Sequence, residues 1–106
     1  MSTAAYTQDS EFDALLTYEG LVMVDCTATW CGPCRKISPF IDQLAEEYEG
    51  RAKVVKLDID ANKVTAKKLG VRSIPAVLIF KGGELVENIV GVAPYEKFRN
   101  ALEQHL

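Results

Sequence analysis

The feature that most limits what this chain can fold into is a change of periodicity around residue 30. Leu21-Val-Met-Val-Asp-Cys-Thr-Ala28 is apolar and rich in β-branched residues, with no helical spacing, which is the pattern of a strand buried on both faces. Beyond it, Ile37, Phe40, Ile41, Leu44, Ala45 and Tyr48 recur at helical spacing, and Gly50 marks the end after Glu49. A second β-rich run, Lys53 to Asp60, follows. A strand, a helix of crossover length and another strand make a β-α-β unit with parallel strands.

Between the first strand and its helix lies Trp30-Cys31-Gly32-Pro33-Cys34, so the two cysteines fall at a helix mouth, with Cys31 expected exposed at its opening and Cys34 one turn in. The first backbone N–H groups of a helix are unpaired and its dipole is positive there, which favours a thiolate over a thiol. Gly32 and Pro33 suit the tight turn, with Pro33 near the first helical position, where its missing N–H leaves no gap. The expected chemistry is reversible dithiol–disulfide exchange. Two other uses of a C-x-x-C pair stay open at this point. Half of a zinc site would need a second pair or histidines, whereas the single histidine is His105 and the third cysteine, Cys26, lies inside the strand. A purely structural bridge is uncommon in a short chain without a secretory signal.

The remaining segments complete an α/β pattern. Ala4 to Thr7 reads as a short edge strand, then Thr7 or Asp9 caps a helix carrying Phe12, Leu15 and Leu16, which Gly20 ends. Pro39 lies inside the long helix and is expected to kink it. Asn62 to Leu69 is a short helix closed by Gly70, and Ala76 to Phe80 is an apolar strand. Gly82-Gly83 supplies a two-residue hairpin turn, which makes Leu85 to Val90 antiparallel to its neighbour. Pro94 fits the first turn of a closing helix with Tyr95, Phe98, Ala101 and Leu102 on its apolar face. The predicted architecture is a central mixed sheet with helices on both faces, in three layers.

At 106 residues the chain reads as one domain, 1–106, long enough for a single core burying roughly 65% of the surface that its unfolded form exposes. A net charge of −3 gives no general attraction to nucleic acid or an anionic membrane, so partners are expected to be proteins. Met1 to Glu11 has no basic stretch followed by an apolar one, and no window approaches the length of a membrane span. Three cysteines in such a chain suit a reducing cytosol, which makes the expected location cytoplasmic.

One acid stands out. Asp25 sits within the apolar strand, where a carboxylate is costly unless paired or protonated. It is either a group whose shifted proton affinity serves the nearby thiols or the structural partner of Lys56 on the adjoining strand.

Val24-Asp25, Ala28-x-Trp30-Cys-Gly-Pro-Cys34, Pro39, Lys56-Leu-Asp-Ile-Asp60, Gly70-Val-Arg-Ser-Ile-Pro75, Phe80-Lys-Gly-Gly83 and Gly91 together resemble the thioredoxin family over nearly the whole chain. The resemblance implies the thioredoxin fold and a general protein-disulfide reductase. It implies Cys31 as nucleophile, Cys34 as the buried resolving thiol and Asp25 as the acid that helps deprotonate it, with Gly32, Pro33, Lys56 and a cis Pro75 tuning the site. Trp30, Ile59, Ile74, Pro75, Val90, Gly91 and Val92 match positions that line an apolar substrate groove in the family. No cofactor is implied. The expected partners are disulfide-containing target proteins and a separate thioredoxin reductase, dependent on NADPH or ferredoxin, with the chain itself a monomer.

The chain departs from the family at Cys26 and Thr27, where an aromatic pair is usual after the buried acid. The second of those aromatics, often Trp, packs beneath the site in the family and can bond an acid that matches Asp60. Cys26 reads as an inert buried thiol or, alternatively, a redox sensor. The competing function is a scaffold or chaperone that holds partners in the same groove while the cysteines gate affinity, and replacing both cysteines by serine separates the two.

Overall fold

The computed structural model describes residues 3–106. The chain runs β1 (Ala5–Tyr6), α1 (Asp9–Leu15), β2 (Leu21–Thr27), α2 (Gly32–Glu47), β3 (Ala52–Asp58), α3 (Lys63–Leu69), β4 (Ala76–Lys81), β5 (Glu84–Val90) and α4 (Tyr95–Glu103). The five strands form one sheet in the order β1-β3-β2-β4-β5. β3 is parallel to both β1 and β2, while β4 is antiparallel to β2 and β5. This is the expected mixed three-layer arrangement.

β2 occupies the centre of the sheet, and its alternation divides the core. Leu21 and Met23 pack with Ile37, Ile41 and Leu44 of α2 and with Phe98, Ala101 and Leu102 of α4. Val22, Val24 and Cys26 face the other layer, with Phe12 of α1 and the partly buried Leu69 of α3. Six consecutive residues of β2, Leu21 to Cys26, are therefore buried, because each face carries a helical layer. Asp25 shares the α2 face of the strand with Leu21 and Met23, since residues two apart point the same way.

Local signals act as their chemistry requires. Gly82 and Gly83 take φ of 58° and 84°, and Lys81 pairs with Glu84 across the two-residue turn. Gly70 closes α3 in the left-handed region. α2 is continuous across Pro39, which lies on its exposed side, and ends at Glu47 with Tyr48 as cap, two residues before the predicted end. α1 ends at Leu15, well before Gly20, and its cap is Gln8 rather than Thr7 or Asp9. The Gln8 N–H donates to Glu11 Oε1 at 3.0 Å, which stabilises the first turn. Asp9 is drawn away to the neighbouring helix: its N–H donates to Asn62 Oδ1 at 2.8 Å, and its own Oδ1 accepts the N–H of Thr65 at 2.8 Å. These two bonds tie the starts of α1 and α3 together, and those to Thr65 hold the Asp9 carboxyl below its usual range. Pro94 stands just outside α4 as its N-cap. Among the described residues no helix is long and apolar enough to cross a membrane.

Candidate active site at the start of α2

Cys31 is the N-cap of α2, and Gly32 and Pro33 open the helix. Its Sγ accepts the backbone N–H of Cys34 at 3.2 Å, so the sulfur takes up one of the donors that a helix start leaves unpaired. Cys31 and Cys34 form a disulfide with their Cα atoms 5.3 Å apart. Both are buried in this oxidised form, at 3% and 2% exposure, which corrects the expectation that Cys31 stands open at the helix mouth. What separates the two sulfurs is the helix terminus. Arg35 steadies the turn by donating from its guanidinium to the carbonyl of Thr29 at 2.7 Å.

Ala28 and the two cysteines form a small apolar cluster, against which Ile59 and Ile74 pack half-buried. The Ile74–Pro75 peptide is cis, and the carbonyl of the buried Pro75 accepts the N–H of Gly91 at 2.8 Å. That bond brings the end of β5 against the loop before β4. Gly91 holds φ of 94°, a conformation in which a side chain would be strained. Trp30, Val90 and Val92 are exposed, with Trp30 at 65%. The structure thus gathers Cys31, Cys34, Ile59 and Ile74 in one cluster and ties Pro75 to Gly91. Val92 lies in the loop beyond.

Trp30 is the outermost of these groups, yet it is held: its indole N–H donates to Asp60 Oδ2 at 2.6 Å. Asp60 is itself placed by Asp58, whose Oδ1 accepts the backbone N–H groups of Asp60 and Ala61 at 2.9 and 3.1 Å.

On the α2 face of β2, Asp25 is 1% exposed, and its Oδ1 has no hydrogen-bond partner among the described residues. Burial pushes its carboxyl up to about 7, opposed by the nearby Lys56 charge and reinforced by that of Asp42. Lys56 lies opposite Asp25 in the β2–β3 register, but its amine does not pair with it. Instead Lys56 Nζ donates to Ser38 Oγ at 2.7 Å and to Asp42 Oδ1 at 2.9 Å. The same Asp42 oxygen accepts the N–H of Ala4 at 3.0 Å. The reading of Asp25 as the ion-pair partner of Lys56 is therefore corrected: α2 supplies a carboxylate and a hydroxyl that reach the amine.

Ser38 and Asp42 did not stand out in the sequence. They continue a row from Cys34 at four-residue spacing, so all three share one flank of α2 beside the apolar stripe of Ile37, Ile41 and Leu44. That polar row beside a buried lysine was the available signal. Cys26 lies on the other face of β2 from Asp25, among apolar side chains, and its thiol is pushed up to about 12 by burial and then by the charge of Asp25.

Comparison with known proteins agrees with this geometry. The family profile described as Thioredoxin matches residues 3–104. Thioredoxin 1 of Nostoc sp. is 46% identical over the whole of both chains, and a thioredoxin of Synechocystis sp. is 44% identical over the same span. A thioredoxin of Staphylococcus epidermidis is 46% identical over 92% of this chain and 93% of its own. The chain belongs to the thioredoxin family: it is a protein-disulfide oxidoreductase that exchanges a dithiol for a disulfide through Cys31 and Cys34, between a reductase on one side and disulfide-bearing target proteins on the other.

Proposed function

We propose that Cys31 is the attacking thiol and Cys34 the resolving one. The observation that carries this is the hydrogen bond from the Cys34 N–H to Cys31 Sγ at the cap of α2, because a donor aimed at a sulfur stabilises its thiolate. Cys31 thiolate attacks a target disulfide and forms a mixed disulfide. Cys34 then attacks the Cys31 sulfur, the reduced target leaves, and the Cys31–Cys34 bridge closes. Asp25, buried on the face of β2 that α2 covers and with its Oδ1 unpartnered among the described residues, accepts the proton that Cys34 must lose. Its raised proton affinity suits it to hold and release a proton near neutral pH.

Gly32 and Pro33 shape the turn, Lys56 tempers Asp25 through its charge, and the backbone of Ile74 beside Pro75 receives the extended target chain. The target lies along Trp30, Ile59, Ile74, Val90, Gly91 and Val92. The chain works as one domain and a monomer in the cytoplasm, and an NADPH- or ferredoxin-dependent thioredoxin reductase restores its dithiol.

Labelling of the reduced protein with substoichiometric iodoacetamide, followed by mass mapping, tests the assignment of sulfurs. Cys31 is modified first and Cys26 remains unmodified. Equal or preferential modification of Cys34 overturns the assignment.

A further inference from the structure

Lys56 is a buried ammonium held to one side. Its side chain is 7% exposed, and it rises from β3 on the same face of the sheet as Asp25, its register partner on β2. An ammonium carries three N–H donors, and burial makes each of them costly to leave unmet. α2 supplies two acceptors, Ser38 Oγ at 2.7 Å and Asp42 Oδ1 at 2.9 Å, and the Tyr6 ring of β1 lies 5.9 Å from the amine. On the neighbouring strand, Asp25 Oδ1 is the one buried side-chain oxygen or nitrogen without a partner among the described residues. The strand register offers that oxygen to the ammonium, and the two oxygens of α2 compete with it.

We propose that Ser38 is a positioning residue for the resolving step: its hydroxyl keeps the Lys56 ammonium on the flank of α2 and away from the Asp25 carboxyl. The inference rests on the reading of Asp25 as the group that takes the proton from Cys34 Sγ. Asp42 divides its Oδ1 between Lys56 and the N–H of Ala4 at 3.0 Å, and its side chain is 28% exposed, so the Ser38 hydroxyl is the less divided of the two holds.

The other charged groups on this face are already engaged. Asp58, farther along β3, accepts the N–H groups of Asp60 and Ala61, and Arg35 of α2 donates to the carbonyl of Thr29. β4 places Val77 beside Asp25, and α4 contributes Phe98, Ala101 and Leu102 to the same layer, none of them charged. An ammonium released by Ser38 therefore turns to Asp25 and favours its carboxylate, which makes the acid a weaker base. Burial raises the proton affinity of Asp25 and the charge of Lys56 opposes it, so the distance that Ser38 keeps between them preserves the acceptor.

The test is an NMR titration of carbon-labelled aspartate carboxyls in the oxidised full-length protein, with the Asp25 signal identified by its absence from Asp25→Asn. Ser38→Ala is expected to lower the Asp25 midpoint by about half a pH unit. Bringing unit charges from about 6 to about 4 Å apart at an effective dielectric constant of about 20 is worth about one pH unit, and Asp42 still holds the amine in part. Ser38→Thr, which restores a hydroxyl, is expected to keep the wild-type midpoint. A midpoint that stays or rises in Ser38→Ala overturns the proposal and leaves the reading of Asp25 as proton acceptor in place. Asp25→Asn is expected to slow insulin reduction; turnover as fast as wild type refutes that reading, and the role of Ser38 in the reaction falls with it.

Discussion

Replacing Asp25 by alanine should set fold stability and catalysis against each other, and the structure gives the size of the effect. The carboxyl has an ordinary value of 3.8 and stands at about 7 in the folded chain, a gap of about three pH units. At about 1.4 kcal/mol per pH unit, ionising it inside the fold costs about 4 kcal/mol. An acid with raised proton affinity binds more protons folded than unfolded. Its contribution is intact below the unfolded value and is lost as pH climbs from there through the folded value. Wild-type stability therefore carries this loss at pH 8 and little of it at pH 4. Asp25→Ala removes it and leaves a cavity, but the cavity costs the same at both pH values and cancels in their difference. Denaturant melts of both oxidised proteins should show the variant gaining about 4 kcal/mol on the wild type between pH 4 and pH 8. Turnover with a disulfide substrate should fall, because Cys34 loses its proton acceptor. A stability difference that does not change with pH would refute the reasoning, since it would mean that Asp25 is not ionised at a cost inside the fold.

Asp42→Asn should weaken the hold on Lys56, at a cost of about 1 to 2 kcal/mol, given that Asp42 is partly exposed. It should also move the pH at which Asp25 ionises downward, because the charge of Asp42 raises it and the freed Lys56 lowers it; pH-dependent melts that keep the wild-type profile would contradict this. Asp60→Ala removes the acceptor 2.6 Å from the Trp30 indole, and since both groups are exposed, stability should change by under about 0.5 kcal/mol. If the bond fixes one wall of the groove, its loss is worth about 1 kcal/mol of target binding, seen as a roughly fivefold rise in KM for a protein disulfide with kcat little changed.

Much of this architecture is legible in the residues because local chemistry and global fold agree. The continuous apolar run of β2 announces a central strand, Gly82-Gly83 admits few turns but a tight hairpin, and Gly70 marks the end of α3. The cysteine pair is equally plain, since its meaning depends on a strand before it and a helix after it. What escapes is set by long-range partners. Asp9 looks like the cap of its own helix, but Thr65 of α3, 56 residues away, claims its carboxylate. Lys56 looks like the mate of Asp25 because register places them opposite each other, whereas its amine reaches α2 and bonds Ser38 and Asp42. Register fixes where side chains start and not where a long flexible amine ends. The bond from Trp30 to Asp60 and the burial of Cys31 likewise depend on packing across the loops around the disulfide, for which no periodicity exists.

The central claim is that exchange with protein targets begins at Cys31 and is completed by Cys34. It is tested most directly by trapping. Cys34→Ser and Cys31→Ser variants are each reduced and mixed with a disulfide-bonded protein such as insulin, and non-reducing electrophoresis with mass mapping follows. The account predicts that the Cys34→Ser variant accumulates a covalent complex through Cys31, because the attacking sulfur remains and the resolving one is gone, whereas the Cys31→Ser variant forms little or none. A complex that forms readily through Cys34 in the Cys31→Ser variant, with none through Cys31, would contradict it.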